Sequence, residues 1–241
     1  MQVDAGDYFQ VKGVGREAVN RLMLESLREF PVDIFHLGFG DLSEWKELRG
    51  AAGLPTRILS TNLRTLSEED GQPESYAVIS IEGSRLGMLR PLRIGFLGLT
   101  IPQRVKARSG FQALDPRQAL AGWKAEAVGL ADFWILLSDL PRDGQTFQAG
   151  DLIHQLADEY PEIRAVLLAE KRFILYEPER IGETLVLSSV DRRRYLTWLE
   201  IRLDQRGQVV ELSGQSLQLG ADVVEDPDWK TKQDALGMVL R

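Results

Sequence analysis

Val32-Asp-Ile-Phe-His-Leu-Gly-Phe-Gly-Asp-Leu42 is the stretch on which the fold turns. Its first half, Val32 to Leu37, is a short apolar run of strand length. Just upstream, Val19, Leu22, Met23, Leu27 and Phe30 recur at helical spacing and predict one apolar helix face. Just downstream, Ser43 to Arg49 reads as a second helix and Arg57-Ile-Leu-Ser60 as the next strand. A strand without polar alternation, flanked by helices, is the mark of a buried α/β sheet.

The same rhythm runs on through the chain. Tyr76 to Ile81 and Leu92 to Leu99 read as strands on either side of the Glu82-Gly83-Ser84 turn. Asp115-Pro116 supplies a cap and a first-turn proline to a helix that carries Leu120, Trp123 and Ala127 inward. Phe133 to Leu137 and Ala165 to Leu168 are apolar strands, separated by a helix from Asp151 with Leu152, Ile153, Leu156 and Tyr160 on one side.

Beyond this the alternation gives way to consecutive strands at Thr184–Ser188, Tyr195–Leu203 and Val209–Leu217, the last two joined by the turn from Asp204 to Gly207. Asp226-Pro227 opens a closing helix with Trp229, Leu236 and Val239 on one face. These elements predict an α/β sandwich of two mixed sheets flanked by helices. With no linker or repeat to divide it, residues 1–241 read as a single domain.

Composition narrows the chemistry. The 241 residues are 44% hydrophobic and 27% charged, with a formal net charge of −7. That balance gives no footprint for nucleic acid. Two small basic groups, Arg104–Lys106–Arg108 and Arg192–Arg193–Arg194, read as solvated faces before anion sites. No cysteine occurs, so disulfides, thiol catalysis and thiolate metal sites are excluded. No apolar run reaches the ~20 residues of a membrane span. Gly13 and Gly15, in Gln10-Val-Lys-Gly-Val-Gly-Arg16, match neither a P-loop nor a dinucleotide fingerprint and read as a helix lead-in.

In α/β sheets ligands sit beyond the carboxyl ends of strands, and the segments there carry a resemblance. Val3-Asp-Ala-Gly-Asp-Tyr-Phe9 resembles the "LDAGD" segment of 5′-nucleotidase-type metallophosphoesterases, and Val32–Leu42 resembles their "YDAVALGNHEF". Ile58–Leu63 is similar to "VLSANL", Ile94–Thr100 to "VGVIGLT" and Phe133–Leu140 to "VVLSHLG". Arg164 to Arg172 stands where a strand and "GGHTH" would be, and Gly182 to Leu199 resembles "GDTLLV…GRYLGRLEL".

That calcineurin-like superfamily hydrolyses phosphate esters with two metal ions. The resemblance implies that Asp7 matches the bridging aspartate, and that Phe39 stands at a ligating Asn. Gly40 then falls at the catalytic His, and Asp41 at the acid orienting that His. Asp139 stands at a ligating His, while Glu170 and Arg172 fall on paired His positions. The two histidines, His36 and His154, fall on no motif position.

The expectation is therefore a non-catalytic member with no cofactor, acting as a binding or structural subunit. The alternative is a weak metal-dependent phosphoesterase with a reduced carboxylate site. An ion pair from Arg172 or Lys171 to Asp7, Asp139 or Glu170 is expected to offset the gathered acids. The family's first strand, with its Asp-x-His, has no counterpart, so the fold is expected with that strand missing. The exposed edge could be covered by a protein partner. The compartment reads as cytoplasmic as the sequence stands, and as exported if an N-terminal segment precedes it.

Overall fold

A computed structural model describes residues 1–9, 15–50, 57–83, 90–105, 110–140, 152–169, 177–188, 195–204, 206–220 and 226–235. Three short parallel strands, β1 (Val3–Asp4), β2 (Ile34–His36) and β3 (Arg57–Leu59), form one sheet in the order β1-β2-β3. Two further strands, β4 (Leu63–Thr65) and β7 (Phe111–Ala113), make an antiparallel pair.

The second large sheet has six strands. It contains β5 (Ala77–Ile81), β6 (Leu92–Leu99), β8 (Phe133–Ser138), β9 (Ile163–Leu168), β10 (Glu179–Ile181) and β11 (Thr184–Ser188). Their order is β10-β11-β9-β8-β6-β5, parallel through β11, β9, β8 and β6 and antiparallel at both edges. Thr184–Ser188 thus joins the sheet parallel to β9. The last two strands, β12 (Tyr195–Leu203) and β13 (Val209–Gln218), form an antiparallel ribbon whose Leu212 packs on Leu185 and Leu187 of β11.

Side-chain alternation sorts these strands into layers. Ile94 and Phe96 of β6 with Ile135 and Leu137 of β8 face inward, packing against Ile34 and Leu59 of the three-stranded sheet. Their alternating neighbours Leu97, Leu99, Trp134 and Leu136 face outward. There they meet Leu120 and Trp123 of α4 (Pro116–Glu126) and Ile153 and Leu156 of α5 (Leu152–Glu159). On the far side, Met23 and Leu27 of α1 (Arg16–Glu29) and Leu48 of α2 (Trp45–Gly50) cover Phe35 and Leu37. Each large side chain so buried contributes about 1.5–3 kcal/mol. The result is a sandwich of two sheets between helices.

Local signals explain the helix ends. Asp115 caps α4 by accepting from the backbone N–H groups of Arg117 and Gln118, with Pro116 in the first turn. Asp226 caps α6 (Pro227–Ala235) in the same way through Asp228 and Trp229; Leu236 and Val239, expected on this helix, lie outside the described residues. Phe30 departs from its helical expectation. It follows the end of α1, is 53% exposed, and stacks at 5.9 Å on Trp229 of α6. The remaining short helix, α3 (Pro102–Val105), follows β6 directly. Among the described residues, no helix is long and apolar enough to cross a membrane.

The two sheets approach closely because β6 carries glycine where they meet. A Cβ on Gly98 would lie 2.4 Å from the His36 ring and 2.7 Å from Leu59. This packing aligns the carboxyl ends of β1, β2, β6 and β8 at one end of the sandwich, and the candidate site is built there.

Candidate functional site

The loop after β1 turns through two residues in the left-handed region, Gly6 (φ 102°) and Asp7 (φ 59°). Aspartate tolerates this conformation better than most residues, but it still costs energy. The turn is held from across the sheet. Asp7 donates its backbone N–H to Asp41 Oδ2 at 2.9 Å, and its own Oδ1 accepts from Gly40 N–H at 2.6 Å.

Gly38, Phe39, Gly40 and Asp41 follow β2, where a 3-10 turn (Phe39–Glu44) begins in place of the expected start of a helix at Ser43. Gly38 is demanded by contact, because a Cβ there would fall 2.5 Å from Asp7 N. At position 40 a Cβ would fall 3.0 Å from Asp7 Oδ1 and 3.1 Å from the Phe9 carbonyl. The loop therefore closes onto Asp7 where a longer side chain would start.

Asp41 is fully buried. Its Oδ2 accepts from Gly38 and Asp7 N–H and its Oδ1 from Phe9 N–H, each at 2.9 Å. Burial, reinforced by the charge of Asp7, holds its carboxyl well above the usual range despite these amides.

Asp139, just beyond β8, is 1% exposed. Its two oxygens accept from Ile101 N–H at 2.7 Å and Phe39 N–H at 2.9 Å. Burial and then the charge of Asp7 push this carboxyl up to about 8; the two amides and the nearby Arg104 charge act the other way. Arg104 Cζ also stands 6.0 Å over the Phe39 ring.

His36 is fully buried between the sheets, and burial lowers it to about 4. A neutral ring has one N–H. Nδ1–H donates to Ala5 O at 2.8 Å, leaving Nε2 to accept from the Thr100 hydroxyl at 3.2 Å. That hydroxyl also lies 2.8 Å from Leu37 O, so its one proton faces two acceptors. His36 thus ties both sheets together and lies off the motif positions. His154 sits on α5, 3.8 Å from Glu179.

The structure accordingly brings Asp7, Phe39, Gly40, Asp41 and Asp139 to one end of the sandwich. Glu170, Lys171 and Arg172, with the ion pair expected there, lie outside the described residues, as do Gly13, Lys106, Arg108 and Arg192 to Arg194. Sequence reasoning did not single out the Phe9 and Ile101 amides or Thr100, and it read Arg104 as a solvated charge. Backbone donors have no residue signature; only the presence of buried acids signals that such donors must exist.

Among the described residues, two divalent cations do not find a ligand set. Phe39 and Gly40 carry no ligating side-chain atom, Asp139 has both oxygens on backbone amides, and Asp41 accepts three more. Among the described residues, no group of three or more His, Asp or Glu could hold a metal ion.

Solved structures share the whole architecture. The chain superposes on the sulfate thiohydrolase SoxB of Thermus thermophilus over 97% of its length, with TM-score 0.70 and 19% identity. It superposes on a 5′-nucleotidase precursor, also of Thermus thermophilus, over 98%, with TM-score 0.72 and 17% identity. The calcineurin-like phosphoesterase YfkN of Bacillus subtilis gives TM-score 0.70 over 98% at 16% identity, and 82% of YfkN is covered. The chain spans 42% of the SoxB chain and 48% of the nucleotidase, less than half of each. No protein-family model and no curated protein matches the sequence. The fold is that of the 5′-nucleotidase-type, calcineurin-like metallophosphoesterases.

Proposed function

We propose that this chain is a non-catalytic metallophosphoesterase-like protein that serves as a binding or structural subunit. The observation that carries it is the loop at Phe39 and Gly40. This loop presents no ligand or general acid, and its backbone amides sit directly on the carboxylates of Asp139 and Asp7. Phosphoester hydrolysis needs a positioned acid for the leaving group and cations on the phosphate oxygens. Gly40 offers no proton to donate, and the space its side chain would enter is filled by Asp7 and the Phe9 carbonyl. In this reading the 241 residues act as one scaffold. A partner strand would add at β1, which stands at the edge of its sheet.

The test is an assay of nucleoside monophosphates and generic phosphate esters with Mg²⁺, Mn²⁺ or Ca²⁺ supplied, beside the Asp7→Ala variant. The reading expects rates at the buffer blank for both proteins. Metal-dependent turnover that disappears in Asp7→Ala would instead establish a weak phosphoesterase.

A further inference from the structure

The resemblance implies cations among the carboxylates at this end of the sandwich, whereas here backbone N–H groups lie on them. We infer that these amides have taken over the cations' structural role, making the site a metal-independent latch that closes the two sheets on each other. The inference rests on the non-catalytic reading and specifies what the retained acids are for.

The contacts run between the two sheets. Asp7, Phe39 and Gly40 follow strands of the three-stranded sheet, while Ile101 and Asp139 follow strands of the six-stranded one. Asp139 is therefore divided between sheets. One oxygen takes Ile101 N–H from its own sheet at 2.7 Å, and the other takes Phe39 N–H from the opposite sheet at 2.9 Å. Both oxygens accept, so this one side chain joins the two sheets.

Electrostatics favours the same contacts. Phe39 and Gly40 open a 3-10 turn, so their N–H groups have no partner within it and point outward. They meet the side chains of Asp139 and Asp7, which stand close enough for the charge of Asp7 to raise the Asp139 carboxyl. Steric fit acts in the same direction. The close approach requires glycine at 38, where a Cβ would strike Asp7 N at 2.5 Å, and a minimal residue at 40. The loop is thus shaped to deliver amides to the acids.

Two measurements on the full chain test the latch. The first is thermal unfolding in EDTA and in millimolar Mg²⁺, Mn²⁺ or Zn²⁺. No upward shift is expected, whereas a cation held 100-fold below its working concentration would raise the midpoint by roughly 5–10 °C. A rise of that size, absent in Asp7→Ala, overturns the latch. The second is amide hydrogen exchange at Phe39, Gly40 and Ile101. The latch expects slow exchange in the parent, and about tenfold or faster exchange at Phe39 and Ile101 in Asp139→Ala. Asp139→Asn, which keeps the shape, should release one of those two amides. Parent amides that exchange as fast as exposed ones, or that slow only when metal is added, also overturn it. Metal stabilisation without turnover sinks the latch and spares the non-catalytic reading, whereas turnover sinks that reading whatever the melting shows.

Discussion

Replacing Asp41 with alanine should cost this protein a large part of its stability. Asp41 is fully buried and accepts three backbone N–H groups, from Asp7, Phe9 and Gly38, all at 2.9 Å. Alanine removes every acceptor and leaves three buried donors. Each orphaned donor costs about 1–3 kcal/mol. The simple sum is an upper limit, because the loops relax and a buried carboxyl held against the charge of Asp7 is also removed. A loss of about 3–5 kcal/mol follows, against a total of about 5–15 kcal/mol for an ordinary domain. Asp41→Asn keeps one oxygen. Placed at the Oδ2 position it retains the Asp7 and Gly38 amides and turns an NH₂ toward Phe9, for a loss of about 1–3 kcal/mol. Urea unfolding of parent and both variants, with comparable m-values, gives the numbers. An alanine variant within about 1 kcal/mol of the parent would refute the claim that Asp41 organises these loops.

Gly98→Ala should cost about 1–3 kcal/mol by overpacking, since its Cβ would meet buried His36 at 2.4 Å and Leu59 at 2.7 Å; the urea midpoint reports it. Stability should fall as pH rises from about 6.5 to 8. In that window folded His36 is neutral and the unfolded imidazole sheds only the last part of its charge, while folded Asp139, raised to about 8, holds a proton that the unfolded chain has released. A folded pKa above the unfolded one contributes stability that is lost as pH climbs through it, here about 2 kcal/mol from Asp139, with Asp41 acting in the same sense. Urea midpoints across the window should therefore decline in the parent and less steeply in Asp139→Asn. Protein purified without chelator should hold well under about one Zn, Mn or Fe per chain by elemental analysis, because no imidazole stands at the described motif positions.

How much of this was legible in the sequence depended on what kind of group carried the signal. Leu92–Leu99, Thr184–Ser188 and Tyr195–Leu203 form strands with the bounds their apolar patterns mark, and the Asp115-Pro116 pair starts α4 as its chemistry requires. The strands β1, β4, β7 and β10 were not legible. Each has two or three residues, too few for a period to register; β1, β4 and β7 pair with strands distant in sequence, and β10 forms a tight hairpin with β11. Phe30 kept helical spacing but lies past the end of α1, where α6 supplies Trp229 as its partner.

The site divides along a similar line. Asp7, Asp41 and Asp139 stand out in the sequence because acids beyond apolar strands are conspicuous. What they bind did not, because Phe9, Phe39, Gly40 and Ile101 act through backbone N–H groups that every non-proline residue carries. A side-chain cation was the partner that sequence reasoning could name, and among the described residues the partners found are mostly amides, with Arg104 adding its charge to Asp139.

The measurement that tests this most directly is a crystal structure of the full chain grown in excess Mn²⁺, with anomalous scattering recorded at the manganese edge. The account predicts no anomalous peak within about 2.6 Å of the Asp7 or Asp139 carboxylates, with Gly40 N–H still on Asp7 and Phe39 N–H still on Asp139. A manganese ion bound between those two carboxylates, with the Gly38–Asp41 loop drawn away from them, would contradict it.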